Sequence, residues 1–250
     1  MKNKNNLANF FWHGNLTFYE MACISSFVEH GFEVNVWSYQ NLNVPKGANL
    51  KDAREILPIE HLTAYTQNKQ EKNLAAFSDV FRFTMLDKIG GWWFDADCVC
   101  LKSVEEFKKL TEKRNVVGGK ENDEWVACGA IFFDNKETSN LFLNELHKRC
   151  KENNNKFKGW GWIGPKMFTE VIKKNNFSDQ MCPPETFYPV SWKDYPMLFQ
   201  PGNTEVINNM CSKAYTCHLW NELFRRDNID KSQIPPEGSW LYHLYRKYVI

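Results

Sequence analysis

"GGWWFDADCVC", residues 90–100, is the stretch on which the fold turns. A glycine pair stops whatever precedes it, and the large apolar residues that follow read as a short buried strand. Two carboxylates, Asp95 and Asp97, stand at the C-terminal end of that strand. Open α/β sheets bind ligands beyond the carboxyl ends of their strands. Mn²⁺ or Mg²⁺ takes carboxylate oxygens together with phosphate oxygens of a substrate. An acid pair at this place therefore fits a metal-diphosphate site, although a bare Asp-x-Asp is more often a solvated strand-end turn.

Upstream, "EKNLAAFSDVFRFTMLDKIGG" (71–91) predicts a helix with Leu74, Phe77, Phe81, Met85 and Leu86 on one face, ended by Gly90 and Gly91. Asp79 and Arg82 lie three apart on that helix and so share a face. They form either an intrahelical ion pair worth about 0.3 kcal/mol or a polar pair that holds a polyhydroxyl ligand beside the metal. Nearer the N-terminus, "NFFWHG" (9–14) reads as a strand, 16–30 as a helix stopped by Gly31, and "FEVNVWSY" (32–39) as a second strand. Strand, helix, strand predicts an α/β domain with a parallel sheet. Residues 41–70 are polar and irregular, with a short helix around 51–57.

Downstream, "NVVGG" and "CGAIFF" read as strands, and 136–150 and 165–174 as helices. Between those helices "KENNNKFKGWGWIGP" (151–165) reads as a mobile loop of lid type. The chain is turn-rich after Pro183, with a late strand in "AYTCHLW" (214–220) and a terminal helix in "SWLYHLYRKYV" (239–249). No internal repeat or linker breaks it, so residues 1–250 read as one domain.

The composition is that of a globular protein, 43% hydrophobic and 24% charged, with enough apolar residues for a sizeable core. The 10 tryptophans and 19 phenylalanines exceed the usual share, which fits a bulky core and equally a site where sugar or base faces stack. A net charge of +1 without a basic block argues against a nucleic-acid binder. The eight cysteines show no CxxC pair and sit in apolar surroundings, which points to reduced, buried thiols and a cytoplasmic setting. No stretch approaches the roughly 20 apolar residues of a membrane span, and the N-terminus has no signal-peptide core.

The block "FSDVFRFTMLDKIGGWWFDADCVCLKS" resembles the sugar-binding, DXD-containing region of a glycosyltransferase superfamily, whose members include capsular polysaccharide transferases, mannosyltransferases and clostridial glucosylating toxins. Ser78, Asp79, Arg82, Gly90, Gly91, Asp95 and Asp97 match its pattern in order. "FFWHG", "GWIGP" and "AYTCHLWNELF" are similar to further elements of its members. The resemblance implies a GT-A-type, Rossmann-like α/β domain that moves a sugar, with retention, from a nucleoside-diphosphate sugar (a UDP-sugar first) to a glycan or other hydroxyl acceptor. It implies Asp95, Asp97 and Arg82 as the catalytic set, and Asp95, Asp97 and His218 around Mn²⁺ or Mg²⁺. Asp79, Arg82 and Asp95 would hold the donor sugar, Trp12 its base, and Trp220 and Asn221 its diphosphate. Trp160 and Trp162 are the acceptor-side candidates. A buried histidine bonded to backbone is an equal reading of His218, and core packing nearly equal for the two loop tryptophans. Glu222 is a weak candidate for a further acidic ligand.

Three other readings share features of the acid block. A cation-dependent carbohydrate-binding protein or an inactive transferase uses the same acids and aromatics without turnover. A haloacid-dehalogenase-like phosphatase also carries a strand-end DxD, but that motif opens its domain, and no later lysine and acid pair completes it here.

Overall fold

The computed structural model describes residues 4–63, 66–68, 71–72, 74–152 and 161–249. In chain order the first half runs β1 (Leu7–Phe11), α1 (Phe18–Glu29), β2 (Glu33–Ser38), β3 (Ala48–Asp52), β4 (Thr66–Asn68), β5 (Glu71–Lys72), α2 (Leu74–Ile89), β6 (Trp92–Phe94) and β7 (Cys98–Cys100). The second half runs α3 (Val104–Thr111), β8 (Val116–Lys120), β9 (Val126–Phe133), α4 (Lys136–Glu152), α5 (Pro165–Lys174), α6 (Pro184–Phe187), α7 (Thr204–Cys211), β10 (Thr216–His218), α8 (Asn221–Arg226) and α9 (Trp240–Tyr248).

A six-stranded sheet in the order β3-β2-β1-β6-β9-β8 forms the centre. Its first four strands are parallel, and β9 runs antiparallel to both neighbours. The expected α/β architecture with a mostly parallel sheet is what the chain adopts. Strand β1 is buried at all five positions and β6 at all three, as strands covered on both faces must be. Side-chain alternation along β6 sends its rings to opposite faces. Two layers follow from this: Trp93 faces α2 and lies tilted against Phe81, at 6.3 Å between centroids. Trp92 and Phe94 face α1 and α3, with Phe94 4.3 Å from Phe27 and Trp92 5.1 Å from Phe107. Most of the surplus aromatics are thus core. A third cluster, including Leu198, Ile207, Phe224 and Trp240, packs the C-terminal segment onto Tyr19 and Cys23 of α1.

Several elements differ from the sequence reading, among them α7 and α8 in the stretch expected to be turn-rich. The short helix expected around 51–57 is a 3-10 turn at Ala53–Glu55, and before it strand β3 extends the sheet where the chain was expected to be irregular. It is an edge strand with polar residues at Asn49, Lys51 and Asp52, so it carries little hydrophobic signal. Helix α3 was not predicted, although Ser103 and Glu106 form a capping box at its start. Helix α2 is buried on more than one face, from Ala76 through Leu86, because it lies between the sheet and α4, while Leu74 is 39% exposed and outside the core.

The glycine pair has a steric cause. Gly90 and Gly91 have φ of 75° and 83°, the left-handed region. A Cβ on Gly91 would meet the Leu7 carbonyl oxygen at 2.8 Å, whereas one on Gly90 would meet only the flexible Lys4 side chain at 3.4 Å. Buried Asn9 stitches the same turn to β1, donating to the Gly90 and Trp92 carbonyls at 3.2 and 3.0 Å. Replacing Gly90 by alanine is expected to cost about 1 kcal/mol of unfolding free energy and Gly91 roughly 3 kcal/mol. Urea denaturation measures both, and equal losses would contradict the close approach at Gly91.

Candidate active site

The acid pair is held by the strand pairing on both sides of it. The Asp95 amide donates to the Gly129 carbonyl at 2.8 Å, which continues the β6–β9 pairing by one residue. The chain then turns, the Cys98 amide donating to the Asp95 carbonyl at 3.0 Å. It leaves as β7, which pairs antiparallel with β10 so that Cys98 lies opposite His218. That pairing delivers the histidine to the acids from 121 residues further along the chain. His218 Nε2 lies 3.4 Å from Asp97 Oδ1 and 3.8 Å from Asp95 Oδ2. Asp97 and His218 are buried, at 7% and 8% exposure.

Each group answers to its surroundings. Burial raises the Asp95 pKa, but the Arg82 charge and contacts with His218 and Trp93 Nε1 (2.9 Å) more than offset it and hold the carboxyl below its ordinary value. Burial pushes Asp97 up, and the Asp95 charge adds to it against the pull of His218 and of the Asn221 amide, which donates at 2.8 Å. Burial lowers His218, yet Asp97 and Asp95 raise it overall. The Cys98 thiol lies in the same cluster, but burial and the neighbouring Asp97 charge drive its pKa far up. It stays a thiol facing the Gly129 carbonyl and is no ligand for a hard cation. Two carboxylates and one imidazole are a donor set for a divalent ion. The His218 Nδ1 accepts from the Trp220 amide at 3.1 Å, so Nε2 carries the proton of the neutral ring. Its lone pair faces a cation only when that amide turns away. Trp220 is the residue at this turn and has φ of 65°, strained for so bulky a side chain.

Behind the acids lies Arg82 of α2, 6% exposed. It pairs with Asp95 at 3.3 Å and Asp79 at 3.4 Å, donates to the Cys128 carbonyl and to Ser78 Oγ, and sits 5.1 Å from the Trp93 ring centroid. Asp79 is pushed up to about 6 by burial despite the Arg82 charge. Gly164, in the Gly-Pro element before α5, packs on this carboxylate so tightly that any Cβ would overlap it.

A cleft of about 760 Å³ opens above the acids. Of the residues expected in the site, Trp12, Arg82, Asp95, Asp97, His218, Trp220 and Asn221 line it, as does Glu222. Glu222 is occupied by Arg225 and Arg226, at 2.7 and 3.1 Å. Asp79 lies behind Arg82, away from the lining. Trp162 does not line the cleft: it packs against the α2–α4–α5 core, and its carbonyl accepts from Arg149. Trp160, with most of the expected lid, lies outside the described residues.

Other residues of the site had no motif to announce them. Glu121, Trp125 and Trp192 line the cleft. Fully buried Glu20 of α1 accepts from Asn221 Nδ2 at 2.6 Å and from Lys231, whose ammonium lies 5.3 Å from the Trp12 ring centroid. Glu20 reads in the sequence as the capping-box partner of Thr17, which it also is. The Tyr188 hydroxyl and Asn221 Oδ1 are buried without a hydrogen-bond partner among the described residues.

Asp79 sets a pH dependence. Its pKa rises from 3.8 unfolded to about 6 folded, so its contribution to stability is fully present below pH 4 and lost as the pH rises through 6. The stability of the wild type relative to Asp79→Asn is expected to fall by roughly 3 kcal/mol between pH 4 and pH 7. Urea titrations at several pH values read this directly; a difference independent of pH would contradict it.

Comparison with known proteins follows the same lines. The family model described as "Glycosyltransferase sugar-binding region containing DXD motif" matches residues 18–118, and "Alpha 1,4-glycosyltransferase conserved region" matches residues 135–248. The resemblance read from residues 78–97 is thereby borne out. The chain is 29% identical to human (Homo sapiens) lactosylceramide 4-alpha-galactosyltransferase, over 68% of this chain and 50% of the relative. It is 24% identical to human alpha-1,4-N-acetylglucosaminyltransferase, over 68% of this chain and 49% of that protein. The chain thus spans about half the length of these curated relatives. Among solved structures it is similar to the galactosyltransferase LgtC in complex with donor and acceptor sugar analogs, with a TM-score of 0.52, 9% identity and coverage of 98% of this chain and 96% of that one. The PaToxG glycosyltransferase gives 0.50, 13% identity, 97% and 85%. At such identities these structures speak for the fold alone, and they bear out the GT-A type.

Proposed function

We propose that this chain, which carries a DXD-containing glycosyltransferase sugar-binding region followed by an alpha 1,4-glycosyltransferase region, moves a hexose from a UDP-sugar to a glycan hydroxyl with the help of a divalent cation, Mn²⁺ first. The observation that carries this reading is the convergence of Asp95, Asp97 and His218 at the carboxyl end of β6, within a cleft large enough for a sugar nucleotide. Asp95, Asp97 and His218 would hold the cation. When bound, it neutralises charge on the departing diphosphate as a Lewis acid.

The chain's own groups do the rest. Trp12, at the end of β1, offers its ring to the base. Arg82 fixes the Asp95 carboxylate and carries positive charge into the floor of the site, where negative charge develops. Asp79, ionised above about pH 6, stands behind Arg82 and holds its guanidinium towards the cleft. Trp220 and Asn221 cover the diphosphate end. The acceptor oxygen bonds to the anomeric carbon as the bond from that carbon to the phosphate oxygen breaks, and the hydroxyl proton passes to the released phosphate. The relatives are named as alpha-transferases. An α-linked product from an α-linked UDP-hexose is retention, which supports same-face transfer. The eight cysteines, all buried free thiols, support a reducing, cytoplasmic setting.

Asp97→Asn keeps the volume and removes the ligand charge. Turnover of UDP-galactose or UDP-N-acetylglucosamine, followed as UDP release, is expected to fall roughly 100-fold or more while the circular dichroism spectrum is kept. Full activity in that variant would overturn the reading.

A further inference from the structure

We infer that Glu121, Trp125 and Trp192 form the subsite for a neutral hexose unit of the acceptor, with Glu121 and Trp125 on the β8–β9 side of the acid pair and Trp192 lining the same cleft. The inference rests on the transfer reading above and names the acceptor chemistry. In the sheet order β1-β6-β9-β8 the acids end β6, Trp12 follows β1 on one side, and Glu121 and Trp125 bound the β8–β9 turn on the other. With the base at Trp12 and the diphosphate at the acids, the β8–β9 side is where the acceptor enters.

The three residues are held in place before any sugar arrives. The Glu121 amide donates to the Trp125 carbonyl at 2.8 Å, and Asn122 Oδ1 accepts from the amides of Glu124 and Trp125 at 2.9 Å each. Trp192 sits in a turn closed by Ser191 Oγ donating to Asp194 at 2.6 Å. Trp192 is 44% exposed, against a core in which the other large rings are covered. Neither Trp125 nor Trp192 stacks on another aromatic ring among the described residues, although Lys193 lies 5.4 Å from the Trp192 centroid. Open indoles on hydrogen-bonded turns in a largely apolar cleft suit the C–H face of a pyranose.

Glu121 supplies the polar part. It lines the cleft and is half-buried, and its carboxylate has no hydrogen-bond or ion-pair partner among the described residues. Burial raises its pKa against the pull of the nearby His218, the cost of a carboxylate withdrawn from water without hydrogen-bond donors. Sugar hydroxyls are such donors. A carboxylate or phosphate on the acceptor would instead be repelled, so the site selects uncharged hexoses.

The test uses the full chain with UDP and Mn²⁺, titrated with lactose, cellobiose and maltose, and with glucuronate as the acidic control, by calorimetry. Binding of at least one neutral disaccharide and not of glucuronate is expected. Trp125→Ala and Trp192→Ala should weaken it roughly 5-fold or more, Trp192→Tyr should retain it, and Glu121→Gln should admit glucuronate. UDP affinity, measured by calorimetry, should stay within about twofold of wild type in all four. No disaccharide binding by the wild type, unchanged binding in the alanine variants, or a parallel loss of UDP affinity would each overturn the assignment. Disaccharide binding by a wild type that fails to bind UDP would sink the transfer reading and the acceptor role with it.

Discussion

The Arg82 guanidinium is the interaction on which the site depends. A buried cation is costly unless its donors are matched, and removing one member of such a group strands the others. Here Asp79, Asp95, the Cys128 carbonyl, Ser78 and the Trp93 ring match it. The partners come from α2, β6 and β9, so one side chain locks the helix to the two strands that present the acids. It also lets two carboxylates remain together in a protein interior, a placement that their mutual repulsion would otherwise forbid.

A second set of contacts fastens the C-terminal segment over the first. The Asn221 amide binds Asp97 and its side chain binds Glu20; Glu20 binds Lys231, which lies over Trp12. The two ends of the cleft proposed for the base and the diphosphate are therefore wired through one buried carboxylate of α1. The strained Trp220 stands in the middle of this run, with its indole donating to the Val190 carbonyl at 2.9 Å. Strain at a bulky residue persists only where its surroundings over-determine it.

Sequence and structure agree best where a local rule and a tertiary need coincide. Gly90, Gly91, Asp95 and Asp97 are legible because a left-handed turn, a buried strand and a strand-end acid pair each leave a mark on residue type. Asp79 and Arg82 are legible as a helical pair, though nothing in their spacing says that both are buried. Glu121, Trp125 and Trp192 are silent, since a single acid and two scattered indoles look alike in a core, a surface or a site. Glu20 is masked by its second role as a cap. Trp162 shows the opposite failure: a glycine-flanked tryptophan suggests a ligand platform, but it packs, partly buried, against the hydrophobic core. Strand β3 was missed because an edge strand earns its place by backbone pairing rather than by side-chain pattern.

The central claim is that the acids, with His218, seat a cation that in turn seats a nucleoside diphosphate. Thermal stability with UDP, GDP and CDP, each with and without Mn²⁺, tests it most directly. The account predicts stabilisation by UDP that requires Mn²⁺, about 2.7 kcal/mol at 100 times Kd. Stabilisation by no nucleotide, or by UDP to the same extent without the metal, would contradict it.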